Sequence, residues 1–476
     1  MRRTVIVLAA GQGKRMRSAL PKVMHPLLGR PLVGHVLTAA APLDPEHTVV
    51  VVGVGAEVVT DYLATAVPGA VTALQETPGG TGHAARVGFE AVKDVEGTVV
   101  VLFGDNPLLR AETVEKLVAV HESSGDAATV LTAAQEDPTG LGRILRDADG
   151  RVTGIVEERD ATAEQRAIRE INSGIMVFEA AALRDTLGVL TAHNDQGEEY
   201  LTDVVGLLVA AGRTVGAYVA PDVTETYGCN DRAQLADLRY LLRDRVNREH
   251  MRNGVTMIDP ASAWIDVTVT LEPDVTLEPG VILRGGTSVA AGALVGPDTT
   301  LVDCAVGAGA TVIRAHALSA VIGAGAQVGP YAYLRPETVL HERAKVGTFV
   351  ETKKTTVGTG AKIPHLTYAG DATIGANANI GAATIFVNYD GVNKHHTTVG
   401  EAAFVGCDTN LVAPVTVGPG AYVAAGSVIY KDVPAGSLGV TRGQQRNIDG
   451  WVERRRAGTK SAAAAAAARV SAAEEG

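Results

Sequence analysis

The second half of the chain places aliphatic residues six positions apart: Leu271, Leu277, Leu283, Val289, Val295 and Leu301, and later Val399, Val405, Leu411, Val417, Val423 and Ile429. Between these runs the period returns in pieces, at Ile322, Val328, Leu334, Leu340 and Val346, then at Ile374, Ile380 and Phe386. Small residues follow the aliphatic one in VGAGAT (306–311), IGAGAQ (322–327), IGANAN (374–379) and VGPGAY (417–422). One inward aliphatic side chain in six, with glycine or alanine at the corner, predicts a solenoid of short strands with three sides and ~18 residues to a coil. The segment FVNYDGVNKHHTTV (386–399) breaks the phase and reads as a loop thrown out of the coil. On a rigid scaffold such a loop is a natural place for function.

The first 230 residues keep a different rhythm. Apolar runs TVIVLAA (4–10), TVVVVG (48–53) and TVVVLFGD (98–105) alternate with helix-like stretches such as AETVEKLVAVHESSG (111–125). That alternation predicts a doubly wound, Rossmann-like α/β domain with a parallel sheet. In NDRAQLADLRYLLRDRVNREHMRNG (230–254), Leu235, Leu238, Leu242 and Val246 share one helical face and Gly254 ends it, which predicts a connecting helix. The expected organisation is therefore an α/β domain over 1–230, a linker helix over 231–254, a β-helix over 255–450 and an Ala-rich tail over 451–476, disordered or a frayed helix.

Composition narrows the function classes. A chain of 476 residues is long for one core, in keeping with several domains. Its net charge of −11 argues against a nucleic-acid partner, which calls for a basic stripe. Cys229, Cys304 and Cys407 have no paired spacing, the N-terminal apolar run is too short for a secretory signal, and no run reaches the length of a membrane span. The expectation is a soluble protein of a reducing cytoplasm, with no membrane partner.

The stretch LAAGQGKRM (8–16) follows the first strand. Its glycines allow close backbone approach, and Lys14, Arg15 and Lys22 supply local positive charge in an acidic protein, a combination suited to phosphate. Met16 stands where a GxGxxG loop would have its third glycine, and the GK[ST] ending of a P-loop is missing, so the dinucleotide and kinase readings both weaken.

LAAGQGKRM, PK (21–22), GTGHA (80–84), GD (104–105), GIVEERDA (154–161) and NSG (172–174), in that order, resemble the sugar-1-phosphate nucleotidyltransferases. With the hexapeptide repeat appended, and with LRP (334–336), ETKK (351–354), HLTY (365–368), NIG (379–381) and NYDG (388–391), residues 4–450 resemble a bifunctional family. That family combines N-acetylglucosamine-1-phosphate uridylyltransferase with glucosamine-1-phosphate acetyltransferase activity. The resemblance implies a left-handed β-helix, which the period alone does not fix, and a homotrimer with acetyl transfer between subunits. It also implies UTP, acetyl-CoA and the two sugar phosphates as substrates, Mg²⁺ as cofactor, and a role in bacterial cell-wall supply.

Residue by residue, the resemblance implies that Leu8, Ala9, Ala10 and Gly11 meet the nucleotide and that Arg15 and Lys22 act on the triphosphate. Gln75, Gly80 and Thr81 would read the uracil, beside Phe103 and Gly104. Asp105 and Asn230 would hold Mg²⁺, and Gly142, Glu157 and Asn172 the acetylamino sugar. In the β-helix, His365 would be the general base, since a histidine titrating near neutrality suits deprotonation of an amine. Arg335, Lys353, Tyr368 and Asn379 would bind the sugar phosphate with Lys394 assisting; Asn388 is implied there and also with acetyl-CoA, beside Ala382, Tyr389, Cys407, Ala425 and Arg442. His395 and His396 read as solvated. The chain departs from the family at Cys407, where many relatives carry serine, and at Ala383, where glycine is common; Phe103 and Asn106 also differ from some relatives. A thiol is a weaker hydrogen-bond donor than a hydroxyl, so slower acetyl transfer is one implication. Two alternatives stay open: a uridylyltransferase whose β-helix only oligomerises, and a non-catalytic regulatory subunit.

Overall fold

The computed structural model describes residues 1–192 and 197–474. Residues 193–196, inside the expected nucleotidyltransferase domain, and 475–476 of the expected tail lie outside the described residues. The chain forms two compact units, Met1–Gly325 and Ala326–Gly476.

The first unit begins with an α/β sheet in the order Val215–Val219, Ala128–Ala134, Glu170–Glu179, Thr98–Phe103, Arg3–Ala9, His47–Val52, Val71–Leu74. Its strands are apolar runs because both faces are covered. Ile6 and Leu8, Val49 and Val51, and Val99 and Val101 pack on one side, whereas Val5 and Val7, Val50 and Val52, and Val100 and Leu102 pack on the other. The sheet is not wholly parallel as the alternation predicts, for Glu170–Glu179 runs antiparallel to both neighbours. It follows the antiparallel hairpin Arg143–Arg146/Val152–Val156, and hydrophobic alternation carries no information about strand direction.

The connecting helix spans Arg232–Arg252. Asp231 caps it, its carboxylate accepting from the backbone N–H groups of Ala233 and Gln234 at 2.9 Å each. Leu235, Leu238 and Leu242 are buried as expected, Val246 partly so, and Gly254 takes the left-handed conformation (φ +97) just beyond the end. Arg243 lies 5.0 Å from the ring centres of both Tyr240 and Trp264, tying the helix to the first coil of the β-helix.

Coils follow, built of strands two to four residues long apart from Glu351–Val357 and Tyr368–Ile374, which have seven each. In the first unit Thr276 pairs with Leu294 and Leu294 with Thr311; in the second, Gln327 pairs with Lys345 and Lys345 with Lys362, all parallel. The six-residue positions face inward: Leu277, Leu283, Val289, Val295 and Leu301 in one unit, and Val405, Leu411, Val417 and Val423 in the other, are buried. Leu271 is half-exposed because it belongs to the first coil, covered by a neighbour on one side. These ladders are those of a left-handed β-helix of hexapeptide repeats. Residues 388–396 leave the coil between the strands Ile385–Val387 and Thr397–Val399. The Ala-rich stretch carries helices at Trp451–Arg455 and Lys460–Glu474.

Candidate functional site

A cleft of about 710 Å³ opens at the C-terminal ends of the strands Arg3–Ala9, Val71–Leu74 and Thr98–Phe103. Ligands of open α/β sheets gather at such ends. Leu8, Ala9, Ala10, Gly11, Arg15, Lys22, Gln75, Gly80, Thr81, Phe103, Asp105 and Asn230 line it, with Glu198. Gly104 adjoins them, its N–H donating to Leu8 O at 2.9 Å. The Gly-rich loop is anchored by Met16, which is 1 % exposed and packs with Leu235 and Leu238 while its carbonyl accepts from Arg232 Nε at 3.0 Å. A third glycine there would lose that anchor. Gly80 opens the helix Thr81–Glu90 at φ +99, where a Cβ would fall 2.4 Å from Glu199 O, so only glycine fits. Gln75 Nε2 donates to the Gly80 carbonyl at 3.2 Å, holding its amide at the rim of the cleft.

Lys22 Nζ lies 2.5 Å from Asp105 Oδ2 and 3.4 Å from Asn230 Oδ1. Two oxygens from distant parts of the chain thus converge on one cationic atom. Two further bonds set this convergence: Asn106, almost fully buried, donates from Nδ2 to Thr226 O at 2.9 Å, and Cys229 N–H donates to Asp105 O at 3.0 Å. Burial pushes the Cys229 thiol up to about 11, which leaves it protonated beside the pair. A carboxylate and an amide oxygen facing one point are the hard donors that Mg²⁺ takes, so the residues fit the ion.

Gly142, Glu157 and Asn172 form a second group beside this cleft. Asn172 N–H donates to Gly142 O, and Gly174 N–H to Asn172 Oδ1, both at 2.9 Å. Glu157 accepts from Thr202 Oγ1 at 3.3 Å, and burial raises its carboxyl above the usual range. Gly174, at φ +83, lets the Asn172–Gly174 turn lie against the Phe103 ring, where a Cβ would fall 2.7 Å from Cε2.

In the second unit, backbone hydrogen bonds join successive coils into one column. Ala383 N–H donates to His365 O, Asp408 to Ala382 O and Gly426 to Cys407 O, and Arg442 Nη1 donates to Ala425 O at 3.4 Å. His365, Ala382, Cys407, Ala425 and Arg442 therefore follow one another along the helix, with the His365 side chain exposed. Ala383 has φ +60, a left-handed conformation that costs about 1 kcal/mol for a residue with a Cβ and that glycine would adopt without that cost. Cys407 is exposed.

A second cluster forms where Glu351–Val357 pairs with Tyr368–Ile374. Arg335 Nη1 reaches Glu351 Oε1 at 2.9 Å. A hydrogen bond from Lys353 and its like charge hold the Lys394 amine below its usual range, with the Asp371 carboxylate acting in the opposite direction. Asn388, buried, donates from Nδ2 to Asp371 Oδ2 at 2.5 Å and to Tyr368 Oη at 3.4 Å. Asn379 is half-exposed on the strand between Lys362 and Phe404. Tyr389, exposed, donates to Gly391 O at 2.6 Å. His396 is exposed and shares a hydrogen bond with Thr373 Oγ1. His395 is more than solvated: its Nε2 lies 2.7 Å from Asp390 Oδ2. The backbone N–H of Asn393 and that histidine hold Asp390 down to about 2. Glu351 and Asp371 were not singled out by sequence reasoning; the only signal for either is its place in or beside the ETKK and HLTY motifs.

Residues 5–200 match the signature of the MobA-like NTP transferase domain. The chain is 57% identical over 465 residues to the bifunctional protein GlmU of Streptomyces coelicolor, covering 97% of this chain and 96% of that one. It is 57% identical over 462 residues to the GlmU of Kineococcus radiotolerans (97% and 94% covered), and 55% over 475 residues to that of Thermobifida fusca (99% and 98%). No helix among the described residues is long and apolar enough to cross a membrane. With these relatives matched over nearly their full length, the chain belongs to the GlmU family of bifunctional proteins.

Proposed function

We propose that residues 255–450 transfer acetyl from acetyl-CoA to glucosamine 1-phosphate and that residues 1–230 then transfer uridylyl from UTP to the N-acetylglucosamine 1-phosphate so formed. The products are UDP-N-acetylglucosamine and pyrophosphate. The observation that carries the reading is the convergence of Lys22, Asp105 and Asn230 at the mouth of the cleft.

In uridylyl transfer the phosphate oxygen of the sugar attacks the α-phosphorus, and the bond to pyrophosphate breaks; the chain's task is positioning and charge stabilisation. Backbone N–H groups around Gly11 cradle the phosphates, Arg15 meets the leaving pyrophosphate, and Gln75, Gly80 and Thr81 read the uracil. Glu157, Asn172 and Gly142 hold the acetylamino sugar. Mg²⁺ held by Asp105 and Asn230 would neutralise the phosphate charge. Lys22 claims the same two oxygens, so it moves from them to the triphosphate when the nucleotide complex forms.

In acetyl transfer the amine nitrogen forms a bond to the thioester carbon, the C–S bond breaks, and the coenzyme leaves as its thiol. His365 takes the amine proton. Arg335, Lys353 and Lys394 meet the sugar phosphate with Tyr368 and Asn379, while Ala382, Asn388, Tyr389, Cys407, Ala425 and Arg442 border the coenzyme. The exposed column of Tyr331, Phe349 and Leu366, with the first two rings stacked at 5.5 Å, supports assembly of the β-helix into a homotrimer. Three free cysteines support a reducing, cytoplasmic setting.

The test is a split assay on the intact chain with Mg²⁺: CoA release from acetyl-CoA plus glucosamine 1-phosphate, and pyrophosphate release from UTP plus N-acetylglucosamine 1-phosphate. Both signals are expected. Pyrophosphate without CoA would reduce the β-helix to an oligomerising scaffold, and silence in both would leave a regulatory subunit.

A further inference from the structure

Asp371 lies on the strand Tyr368–Ile374 in the left-handed region (φ +50), which aspartate tolerates better than most residues. Its carboxylate is half-buried between groups that the proposed acetyl transfer uses. On one side it accepts Asn388 Nδ2 at 2.5 Å, and that same nitrogen lies 3.4 Å from Tyr368 Oη. On the other its charge acts on the Lys394 amine, which Lys353 opposes. Gly370, facing Lys353 in register, leaves the room this requires: a Cβ there would fall 2.4 Å from Tyr368 Oη and 2.7 Å from Asn388 Nδ2.

The chemistry of this contact is directional. An ionised carboxylate only accepts, so it selects the amide nitrogen of Asn388 and turns the amide oxygen away. Among the described residues no donor meets Asn388 Oδ1, which leaves it as an available acceptor. The amine of glucosamine 1-phosphate is a donor through its N–H groups and a nucleophile through its lone pair. An oxygen that accepts one N–H fixes where the lone pair points.

We propose that Asp371 is a positioning residue for acetyl transfer, locking the Asn388 amide so that Oδ1 accepts from the sugar amine and aims its lone pair at the thioester. The inference rests on the reading of this face as the acetyltransferase site. It gives a reason for a buried asparagine there that phosphate binding does not: phosphate calls for donors, and the Asn388 Nδ2 donates to Asp371 and Tyr368 instead.

The experiment measures CoA release by the full chain for the wild type, for Asp371→Asn, and for Asp371→Asn combined with Asn388→Asp. The single change keeps size and left-handed tolerance but lets either amide face either way. It is expected to lower kcat by about 10- to 100-fold with little change in the KM for glucosamine 1-phosphate, and to leave pyrophosphate release untouched. The double change restores one donor and one acceptor in reversed places and is expected to recover at least about tenfold of the loss. A single variant with wild-type kcat, or a double variant as slow as the single, overturns the role of Asp371. No CoA release from the wild type itself overturns the acetyltransferase reading, and the proposal with it.

Discussion

Lys22 and Asp105 meet across 83 positions of sequence, with 14% and 15% of their side chains exposed, whereas Arg335 and Glu351 meet across 16 positions with 36% and 41% exposed. In the α/β region the charged groups are drawn into a cleft by long-range packing, and burial does the electrostatic work: it raises Glu157 and the Cys229 thiol. On the β-helix face the groups come from neighbouring coils and stay in contact with water. There the shift of Lys394 comes first from a hydrogen bond and like charge of Lys353. One region makes an anion site by enclosure, the other by repetition, and sites of these two kinds should fail differently.

The largest expected effects test whether the two regions are chemically independent. Asp105→Ala should lower pyrophosphate release by about 10²- to 10³-fold and leave CoA release intact; His365→Ala should do the reverse to a similar degree. Loss of both signals in either variant would mean that the two sites depend on each other. Next, Phe349→Glu, which puts charge into the stacked, exposed column, should dissociate the proposed homotrimer in sedimentation and cut CoA release several-fold more than pyrophosphate release. Equal losses would remove assembly from the difference between the sites.

A smaller effect probes enclosure. Because Lys22 occupies the two oxygens assigned to Mg²⁺, Lys22→Met should bind Mn²⁺ about tenfold more tightly without nucleotide, a gain of ~1.4 kcal/mol readable by calorimetry. Unchanged or weaker binding would mean that the ammonium and the ion use different places. The smallest effect concerns Glu157. Its folded carboxyl titrates above the unfolded value, so its contribution to stability is full below the unfolded pKa and is lost as pH rises through the folded one. Glu157→Gln should therefore raise the thermal midpoint more at pH 8 than at pH 4, and a uniform shift would count against burial as the cause.

Repetition was also the more legible of the two in the sequence. A coil buries one aliphatic residue on each side, so Leu277, Val295 and Val405 declare themselves by spacing alone. The antiparallel direction of Glu170–Glu179 left no such mark, because alternation is the same in either direction. Site residues divide in another way. Lys22, Asp105 and Asn230 were named through motif order and resemblance, and their convergence depends on packing that no local pattern encodes. Asp371 and Glu351 carry partner roles, binding a residue instead of resembling one, and the sequence has no spacing rule for partners.

The loop at 388–396 has a further consequence. Lys362 pairs with Asn379, a step of 17 residues, and Asn379 with Phe404, a step of 25, yet Phe404 pairs with Tyr422 at the ordinary 18. The insertion is absorbed within one turn and the registers above and below are untouched. Closing a longer loop costs only logarithmically more entropy. Segment length at this corner is thus an adjustable dial, on which reach toward a ligand can be lengthened or trimmed without refolding the scaffold that holds it.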